Sequence, residues 1–309
     1  SAGPGGAPSG RLQGVEQEGE KTMGKIVIVG SGPAGCSAAL YAARAGQEVV
    51  VISMGMGALS KAELIQNYYG FEEGITGAEL YRRGVAGAKA VGAEFITAEV
   101  VGLDYTGSLV VQTTEGDYPA DAVILATGAG RIAPKIAGLA EHEGRGVSYC
   151  ATCDAFFYRG KMAAVLGSGE YALHEVQALL PLAGKVILCT NGEPLTADFP
   201  EGVEICTEKL AAVEGEEKVS ALRLENGELL PVEGLFVALG VAGSAALARK
   251  LGAPVENGRI VVDEKMQTGI PGLYAAGDCT GGLLQVCKAV YEGALAATEA
   301  IKMLRGKKR

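Results

Sequence analysis

Two cysteines separated by two residues, Cys150 and Cys153, are the side chains of this chain best suited to redox chemistry. Such a pair can close a disulfide, and its thiols can share a lowered pKa, so that one of them is a nucleophilic thiolate near neutral pH. Glycine-rich turns begin at Gly30 and at Gly167, one on each side of the pair. A dithiol between two nucleotide-type turns indicates electron transfer to a disulfide.

The same pair of cysteines could be half of a structural zinc site. Zinc takes four ligands, and the chain has no second CxxC, while His142 and His174 do not complete a four-ligand spacing. The sequence therefore predicts no metal site. The remaining cysteines are predicted to pack as small apolar side chains, and they are Cys36, Cys189, Cys206, Cys279 and Cys287.

The first glycine-rich turn lies in a strand–turn–helix–strand pattern. An apolar, β-branched run over 25–29 leads into the turn at 30–35, an alanine-rich helix follows over about 34–45, and a second strand covers 48–52. The glycines permit a sharp turn and let backbone N–H groups at the helix N-terminus meet a pyrophosphate. The pattern predicts a dinucleotide-binding βαβ unit.

The same pattern recurs later in the chain. A strand over 162–166 leads into the turn at 167–172, a helix runs to about Leu182, and a strand covers 185–189. Two such units indicate two related domains. The predicted fold class is α/β, with two Rossmann-like, three-layer domains of the nucleotide-binding type.

Other strands suggest that the second domain is inserted into the first. Two strands end in glycine, at 122–128 and at 235–240, as expected where the chain crosses between domains. A last strand over 272–276 and a long helix over about 284–304 close the chain. These elements can complete the first domain only if the second lies within it.

The predicted domain bounds follow from this order. The first domain takes 23–129 and 243–309, and the inserted domain takes 130–242 and carries the CxxC. Residues 1–22 are rich in Gly, Pro, Ser, Gln and Glu and have no apolar periodicity. They are predicted to be a disordered leader or the remnant of a tag.

Composition narrows the classes of function. A net charge of −9 argues against nucleic acid as a partner, because such binding needs a basic face. No run of about 18 apolar residues occurs, so no membrane span is expected. An odd count of 7 cysteines without a secretory segment predicts a reducing, cytoplasmic location.

Five motifs give the chain a resemblance to a known family. They are GSGPAG at 30–35, IQNYYG at 65–70, ATGA at 126–129, GRGVSYCATCDAFFYRGK at 144–161 and AAGDCTGGLLQVCKAVYEGALAA at 275–297. With these motifs the chain resembles the low-molecular-weight thioredoxin reductase family of flavoproteins. It is most similar to the ferredoxin-dependent flavin thioredoxin reductase branch of that family.

The resemblance implies FAD as the bound cofactor of the first domain. Asp278 would accept a hydrogen bond from the ribityl chain, or it would cap the helix that follows. The residues implied at the pyrophosphate are Gly30, Gly32, Pro33, Ala34 and Gly35. Those implied near the flavin and its ribityl chain are Asn67, Thr127, Gly128, Gly277, Asp278, Gln285 and Val286.

The resemblance also implies roles for the dithiol. Cys153 would lie against the flavin ring and receive its electrons, and Cys150 would attack a protein disulfide through a mixed disulfide. Asp154 would be the acid/base carboxylate, with a helix cap as its alternative role. The expected partner is thioredoxin or a thioredoxin-like protein, and a homodimer is typical of the family.

The chain departs from NADPH-dependent family members in its inserted domain. Where those members have an arginine-rich segment, this chain has no Lys, Arg or His between Val186 and Glu208, and it has acidic residues instead. The 2′-phosphate of NADPH needs paired cations. Tyr171 replaces a small Thr or Ser and is expected to crowd the pyrophosphate. These differences predict a domain without an NADPH site and ferredoxin as the electron donor.

Three alternatives stay open at the level of sequence. Tyr171 could pack outward while Glu193 holds the ribose of NADH, which would give an NADH-dependent thioredoxin reductase. A flavin dithiol oxidase acting on a small metabolite shares the two-domain outline and also lacks NADPH motifs. A flavin-bound redox sensor is the third. Ferredoxins are acidic, so docking one would need a local basic patch, such as Arg82, Arg83 and Lys89.

Overall fold

A computed structural model describes residues 24–129, 134–240 and 242–306, so the predicted leader 1–22 lies outside the described residues. The strands of the described ranges are β1 (Lys25–Val29), β2 (Glu48–Ser53), β3 (Glu94–Thr97), β4 (Val100–Tyr105), β5 (Leu109–Thr113), β6 (Gly116–Ala120), β7 (Ala122–Leu125), β8 (Val147–Ser148), β9 (Met162–Leu166), β10 (Lys185–Cys189), β11 (Glu204–Cys206), β12 (Leu210–Glu214), β13 (Ala221–Leu224), β14 (Leu229–Pro231), β15 (Gly234–Val237), β16 (Val255–Glu256), β17 (Arg259–Ile260) and β18 (Leu273–Ala275). The α-helices are α1 (Pro33–Arg44), α2 (Gly77–Ala90), α3 (Ala151–Asp154), α4 (Glu170–Leu179), α5 (Ser244–Lys250) and α6 (Val286–Gly306). No helix within these ranges is long and apolar enough to cross a membrane.

Five parallel strands form the first sheet, in the order β18-β7-β1-β2-β3. Along β1, Ile26 joins the apolar cluster under α1 and α6, whereas Val27 joins the cluster on the opposite face. Both faces of this strand are buried, which explains its unbroken apolar sequence. The long helix α6 lies close to α1 because Gly293 has no side chain: a Cβ there would stand 2.1 Å from the Ala34 carbonyl oxygen.

An antiparallel sheet, β4-β5-β6, covers the other face of the first sheet. Leu103, Leu109 and Val111 of this small sheet share the apolar cluster that contains Val27. The sequence analysis did not predict this sheet. Its strand β4 also contacts α4 and α5, so it forms part of the junction between the two halves of the molecule.

The second sheet is also parallel, in the order β11-β10-β9-β15-β8. Helix α4 covers one face, and a second antiparallel sheet, β12-β13-β14, covers the other. The chain enters this unit after β7 and leaves it before β18. The predicted α/β fold of two Rossmann-like domains, the second inserted into the first, is confirmed.

A continuous apolar cluster joins the two units. It contains Val27 and Leu103 of the first unit together with Val165 and Tyr171 of the second. Tyr171 belongs to α4, the helix that follows the second glycine turn. This helix therefore lies in the interface between the units.

Candidate active site

The cysteine pair lies at the start of α3, directly after β8. Cys150 and Cys153 form a disulfide, with their Cα atoms 5.4 Å apart. Cys150 is the N-cap of α3, and its Sγ accepts a hydrogen bond from the Cys153 backbone N–H at 3.2 Å. Such a bond favours a thiolate over a thiol, so the local geometry suits Cys150 as a nucleophile once the disulfide is reduced.

The two cysteines differ in their surroundings. Cys150 is buried and only 4% exposed. Cys153 is exposed, and its Sγ lies 3.8 Å from the Arg249 and 3.6 Å from the Lys250 carbonyl oxygen. Both carbonyls belong to α5, so Cys153 faces the unit that carries the first glycine turn. A protein disulfide can reach Cys150 only if the surrounding residues move.

Asp154 is connected to Cys150 through one serine. The Ser148 hydroxyl donates to Asp154 Oδ2 at 2.7 Å and accepts from the Cys150 backbone N–H at 3.1 Å. The Asp154 side chain does not cap the short helical turn that follows it. Its contacts therefore differ from those expected of a helix cap, the alternative role. The carboxylate lies one hydroxyl away from the dithiol segment, within reach of proton exchange there.

A buried carboxylate that sequence reasoning missed, Glu175 of α4, holds the start of the dithiol helix. Glu175 is fully buried, and its Oε2 accepts from the Ala151 backbone N–H at 2.5 Å. Its Oε1 pairs with the Lys250 ammonium group and lies 3.3 Å from His174 Nδ1. Burial tends to raise the pKa of Glu175, but the hydrogen bonds to it outweigh burial and hold that pKa below its usual range. The only signal in the sequence was an acidic residue within an apolar helix.

The first glycine turn is shaped to receive a phosphate group. Gly30 has φ +107°, and a Cβ there would lie 2.3 Å from the Ala126 carbonyl oxygen. At Gly32, by contrast, nothing lies within 4 Å of the Cβ position, and this N-cap has no side chain to bond the helix. The backbone N–H groups at the start of α1 are therefore open to an anion. The turn brings together the predicted pyrophosphate residues Gly30, Gly32, Pro33, Ala34 and Gly35.

Two further contacts join the motifs predicted to approach the flavin. The Asn67 amide donates to Gln285 Oε1 at 2.9 Å, which connects the second motif with the last. Thr127 Oγ1 lies 2.7 Å from Ser244 Oγ, at the beginning of α5. Gly128 follows with φ +78°, a conformation that favours glycine. The structure thus brings Asn67 and Gln285 together and places Thr127 at the junction of the units.

The loop that carries Asp278 is fixed by an ion pair on α6, whose first residue is Val286. Lys288 Nζ lies 3.0 Å from Glu292 Oε2, and that oxygen accepts from the Gly277 backbone N–H at 2.8 Å. Lys288 also donates to the Gly277 carbonyl oxygen at 2.8 Å. Among the described residues no hydrogen bond uses the Asp278 carboxylate, so it can accept one from a ligand hydroxyl. Sequence reasoning missed Lys288 and Glu292. The residues of this loop and of the first turn fit FAD.

The second glycine turn is covered by a later segment of the chain. The Thr196 backbone N–H donates to the Ser168 carbonyl oxygen at 2.8 Å, and Thr196 Oγ1 lies 3.0 Å from the Cβ position of Gly169. A phosphate group resting on a turn of this kind needs the space that Thr196 occupies. One cation from just beyond the stretch without cations, Lys209, packs its Cε 3.3 Å from the Cβ position of Gly192.

A carboxylate from the first unit approaches the start of α4. The carboxyl group of Glu99, between β3 and β4, lies near the Tyr171 backbone N–H and the Glu170 side chain. Its Oε1 is buried and has no hydrogen-bond partner among the described residues. Burial and the nearby charge of Glu170 raise the pKa of Glu99, and the Tyr171 N–H offsets them only in part. The N-terminus of α4 therefore has a carboxyl group of the first unit close to it.

The expectation that Tyr171 crowds the nucleotide turn is wrong. Its hydroxyl donates to the Tyr149 carbonyl oxygen at 3.0 Å, and its side chain is 2% exposed. The ring thus points toward the segment before the dithiol, and the alternative in which it packs outward is wrong as well. Thr196, which is distant in sequence, covers this turn, and the Glu99 carboxyl group lies near the start of the helix that follows it.

Comparison with known proteins agrees with this site. Residues 24–293 match the family model of the pyridine nucleotide-disulphide oxidoreductases. The thioredoxin reductase of Aquifex aeolicus is 36% identical over 308 residues, which cover 92% of this chain and 94% of that protein.

Two similar solved structures are both described as thioredoxin reductases. An atypical thioredoxin reductase from Desulfovibrio vulgaris Hildenborough superposes with a TM-score of 0.87 at 40% identity, covering 92% of this chain and 99% of that one. A ferredoxin-flavin thioredoxin reductase from Clostridium acetobutylicum has a TM-score of 0.70 at 36% identity, with the same coverage of 92% and 99%. The chain therefore belongs to the pyridine nucleotide-disulphide oxidoreductases and, within them, to the FAD-binding thioredoxin reductases.

Proposed function

We propose that this chain reduces the disulfide of thioredoxin, or of a thioredoxin-like protein, with electrons that come from reduced ferredoxin through FAD. The contrast between the two glycine turns carries the assignment of the donor. The first turn is open at Gly32, whereas Thr196 covers the second and the Glu99 carboxyl group lies near the helix that follows it. The similarity to a structure described as a ferredoxin-flavin thioredoxin reductase supports the same donor.

Electrostatics supports the exclusion of NADPH. An ionised carboxylate about 4 Å from a phosphate charge repels it by roughly 1 to 4 kcal/mol, depending on the local dielectric. The Glu99 carboxylate, near the Tyr171 N–H at the start of α4, would repel a pyrophosphate bound there when it is ionised. The segment after β10, which would have to bind the 2′-phosphate, contributes further negative charge from Glu193, Asp198, Glu201, Glu204 and Glu208.

The dithiol performs the exchange in this proposal. Bound FAD supplies the conversion from a one-electron donor to a two-electron acceptor. Cys153, which faces the FAD-binding unit, takes the electron pair, so that the Cys150–Cys153 bond breaks and two protons are taken up. The Cys150 thiolate then attacks the partner's disulfide and forms a mixed disulfide, and one partner sulfur leaves as a thiol. Cys153 attacks Cys150 in that bond, which restores the internal disulfide and releases the partner as a dithiol. Asp154 exchanges the protons through Ser148.

We further propose the residue roles and domain bounds that the sequence predicts. FAD is held by the residues of the first turn and by Asn67, Thr127, Gly128, Gly277, Asp278, Gln285 and Val286. The FAD-binding domain comprises 23–129 and 243–309, with 130–242 inserted. A homodimer, which is typical of the family that the chain resembles, is part of the proposal. The cytoplasm stays the predicted location.

Anaerobic titration of the FAD-loaded chain tests the donor. We expect reduced ferredoxin to bleach the flavin absorbance and stoichiometric NADPH or NADH to leave it unchanged. Bleaching by NADPH contradicts the donor assignment and leaves the reduction of thioredoxin intact. Under oxygen, rapid flavin reoxidation with small dithiols would identify a dithiol oxidase instead.

A reductase that uses a pyridine nucleotide is the second candidate. The observation in its favour is Lys209, whose stem lies against Gly192 near the place where a nucleotide ribose would bind. The NADH arm of the titration decides between the two.

The dithiol assignment has its own test. Cys150→Ser and Cys153→Ser are each expected to abolish reduction of thioredoxin, because either change prevents the internal disulfide, and to leave the FAD content unchanged. Turnover that persists in either variant contradicts the assignment.

A further inference from the structure

Helix α4 covers one face of the second sheet and also contacts β4 of the first unit. Its first turn lies near the Glu99 carboxyl group. Further along, the His174 ring lies against β4, with its Cε1 3.2 Å from the Cβ position of Gly102. Next to it, Glu175 pairs with Lys250 of α5. A helix that starts at a nucleotide-type turn thus lies against the neighbouring unit at successive positions, and Glu175 forms an ion pair with it.

The Glu175–Lys250 pair differs from the other ion pairs in its burial. Both side chains are 1% exposed, whereas the Lys185–Glu204 pair on the second sheet is 44% and 50% exposed. Two charges are stable inside a protein only when they are paired and hydrogen-bonded. Removal of one charge leaves the other buried without a partner. Because Glu175 and Lys250 belong to different units, the pair forms only while the two units are in contact.

The same pair reaches the dithiol from two directions. Ala151 lies between the two cysteines, and its backbone N–H donates to Glu175 Oε2 at 2.5 Å. The carbonyl oxygen of Lys250 lies 3.6 Å from Cys153 Sγ. Glu175 therefore fixes the first turn of α3, while Lys250 holds Glu175 and contacts the dithiol itself.

We propose that Glu175 is a positioning residue for the dithiol, and that its ion pair with Lys250 across the interface holds the Cys150–Cys153 bond toward the FAD-binding unit. Glu175 acts through the backbone of α3 and not on the reacting atoms. This inference rests on the role of the dithiol in the proposed function and does not depend on the identity of the electron donor.

Lys250→Met tests the inference, because it keeps the length of the side chain and removes the charge. The flavin of the FAD-loaded chain is reduced with dithionite, excess reductant is removed, and transfer to the internal disulfide is followed by flavin absorbance and thiol count. We expect transfer to slow at least about tenfold while FAD content stays unchanged. Hydrogen exchange in peptides covering 147–157 is expected to rise about tenfold at the Ala151 amide, since its acceptor is no longer held.

The matched control is Lys185→Met, which removes a lysine from an exposed ion pair of the same unit and is expected to change neither measurement. Lys250→Arg keeps the charge and is expected to recover part of the transfer rate. Transfer in Lys250→Met within twofold of the parent chain overturns the proposal, whether or not exchange at Ala151 rises. If Lys250→Met does not retain FAD, the double variant Glu175→Gln/Lys250→Met, which removes both charges, replaces it under the same criteria.

The design separates failure of this inference from failure of the proposed function. If the parent chain transfers no electrons to its disulfide, the proposed function fails. If the parent chain transfers them and Lys250→Met does so equally fast, only the role of the ion pair fails.

Discussion

The first glycine turn, around Gly32, and the second, around Gly169, are built alike: a buried parallel strand leads into each, and a helix leaves it. They differ in what lies above the helix start. Nothing stands within 4 Å of a Cβ placed at Gly32, whereas the Thr196 hydroxyl stands 3.0 Å from one placed at Gly169. A glycine motif thus reports the shape of a turn, and residues elsewhere in the chain decide whether a ligand can use it.

The N-termini of α1 and α4 also differ in the negative charge that the protein itself places near them. A helix N-terminus attracts an anion through its unpaired N–H groups and its dipole. The first turn of α1 contains no acidic residue, so its anion must come from a ligand. The first turn of α4 contains Glu170 and lies near Glu99 of the other unit. The second helix start takes its negative charge from the protein.

The largest effect is expected when a carboxylate is placed at the first turn. Gly32→Asp should leave the fold intact, because residue 32 has φ −69° and Asp is a favourable N-cap. Its charge would lie where the FAD pyrophosphate binds, and repulsion of about 3 kcal/mol or more corresponds to a hundredfold or greater loss of affinity. The measurement is the FAD dissociation constant, together with circular dichroism to verify folding.

The matched variant at the second turn is Gly169→Asp. Residue 169 is likewise an N-cap with negative φ, here −118°. If no nucleotide uses the second turn, Gly169→Asp should leave both FAD affinity and ferredoxin-driven reduction of thioredoxin within about twofold of the parent chain. An equal loss of FAD in both variants would remove the contrast between the turns.

A smaller effect is expected when the second turn is uncovered. The double variant Thr196→Gly/Glu99→Gln removes the side chain over Gly169 and the carboxylate near α4. Loss of one repulsive contact should raise the affinity for NADH by about tenfold, with less gain for NADPH because the segment after β10 stays acidic. Isothermal titration with each nucleotide measures the gain.

Glu225→Gln is the control for that variant, since it removes an equal charge from an exposed position of the second unit. It should not change nucleotide affinity. If the double variant gains nothing over this control, the turn is closed for a reason other than Thr196 and Glu99.

Local patterns sufficed for the elements on which the site is built. The strands at 25–29, 162–166 and 185–189 are found with the bounds that their apolar runs predict. Each is a buried central strand of a parallel sheet, where an unbroken apolar run has no other good explanation. The position of the disulfide could also be predicted from the sequence, because two cysteines three positions apart can form a bond whatever the rest of the fold is.

The contacts between the two units could not be predicted from the sequence, because the residues that pair across the interface are distant in sequence. Glu175 and Lys250 are 75 residues apart, and neither has a local pattern that predicts the other. Tyr171 shows the same limit in another form. Its residue type suggested bulk at the turn, but its direction is set by the Tyr149 carbonyl oxygen and by the apolar cluster at the junction. Fold topology, and not local sequence, brings these groups together.

The smallest effect concerns the pH dependence of stability. Burial raises the pKa of Glu99 above its usual value of 4.5. A carboxyl group whose pKa is higher in the folded than in the unfolded chain does not lower the free energy of unfolding while it is protonated in both. It lowers that free energy by the full amount once it is ionised in both. The parent chain should therefore lose stability relative to Glu99→Gln as pH rises from about 4.5 through the raised pKa.

At pH 7.5 the Tm of Glu99→Gln should exceed that of the parent chain by about 1 to 3 °C. The effect is small because the chain is large and because Glu99 is partly exposed to solvent, which screens its charge. It should shrink toward zero near pH 4, where both states are protonated. Thermal unfolding of the FAD-loaded chain at the two pH values measures it, with Glu225→Gln as the reference. A gain that is the same at both pH values would mean that Glu99 is not ionised against an unfavourable environment, and that the start of α4 does not obtain its negative charge from this residue. Such a result would leave Thr196 alone to account for the closure of the second turn.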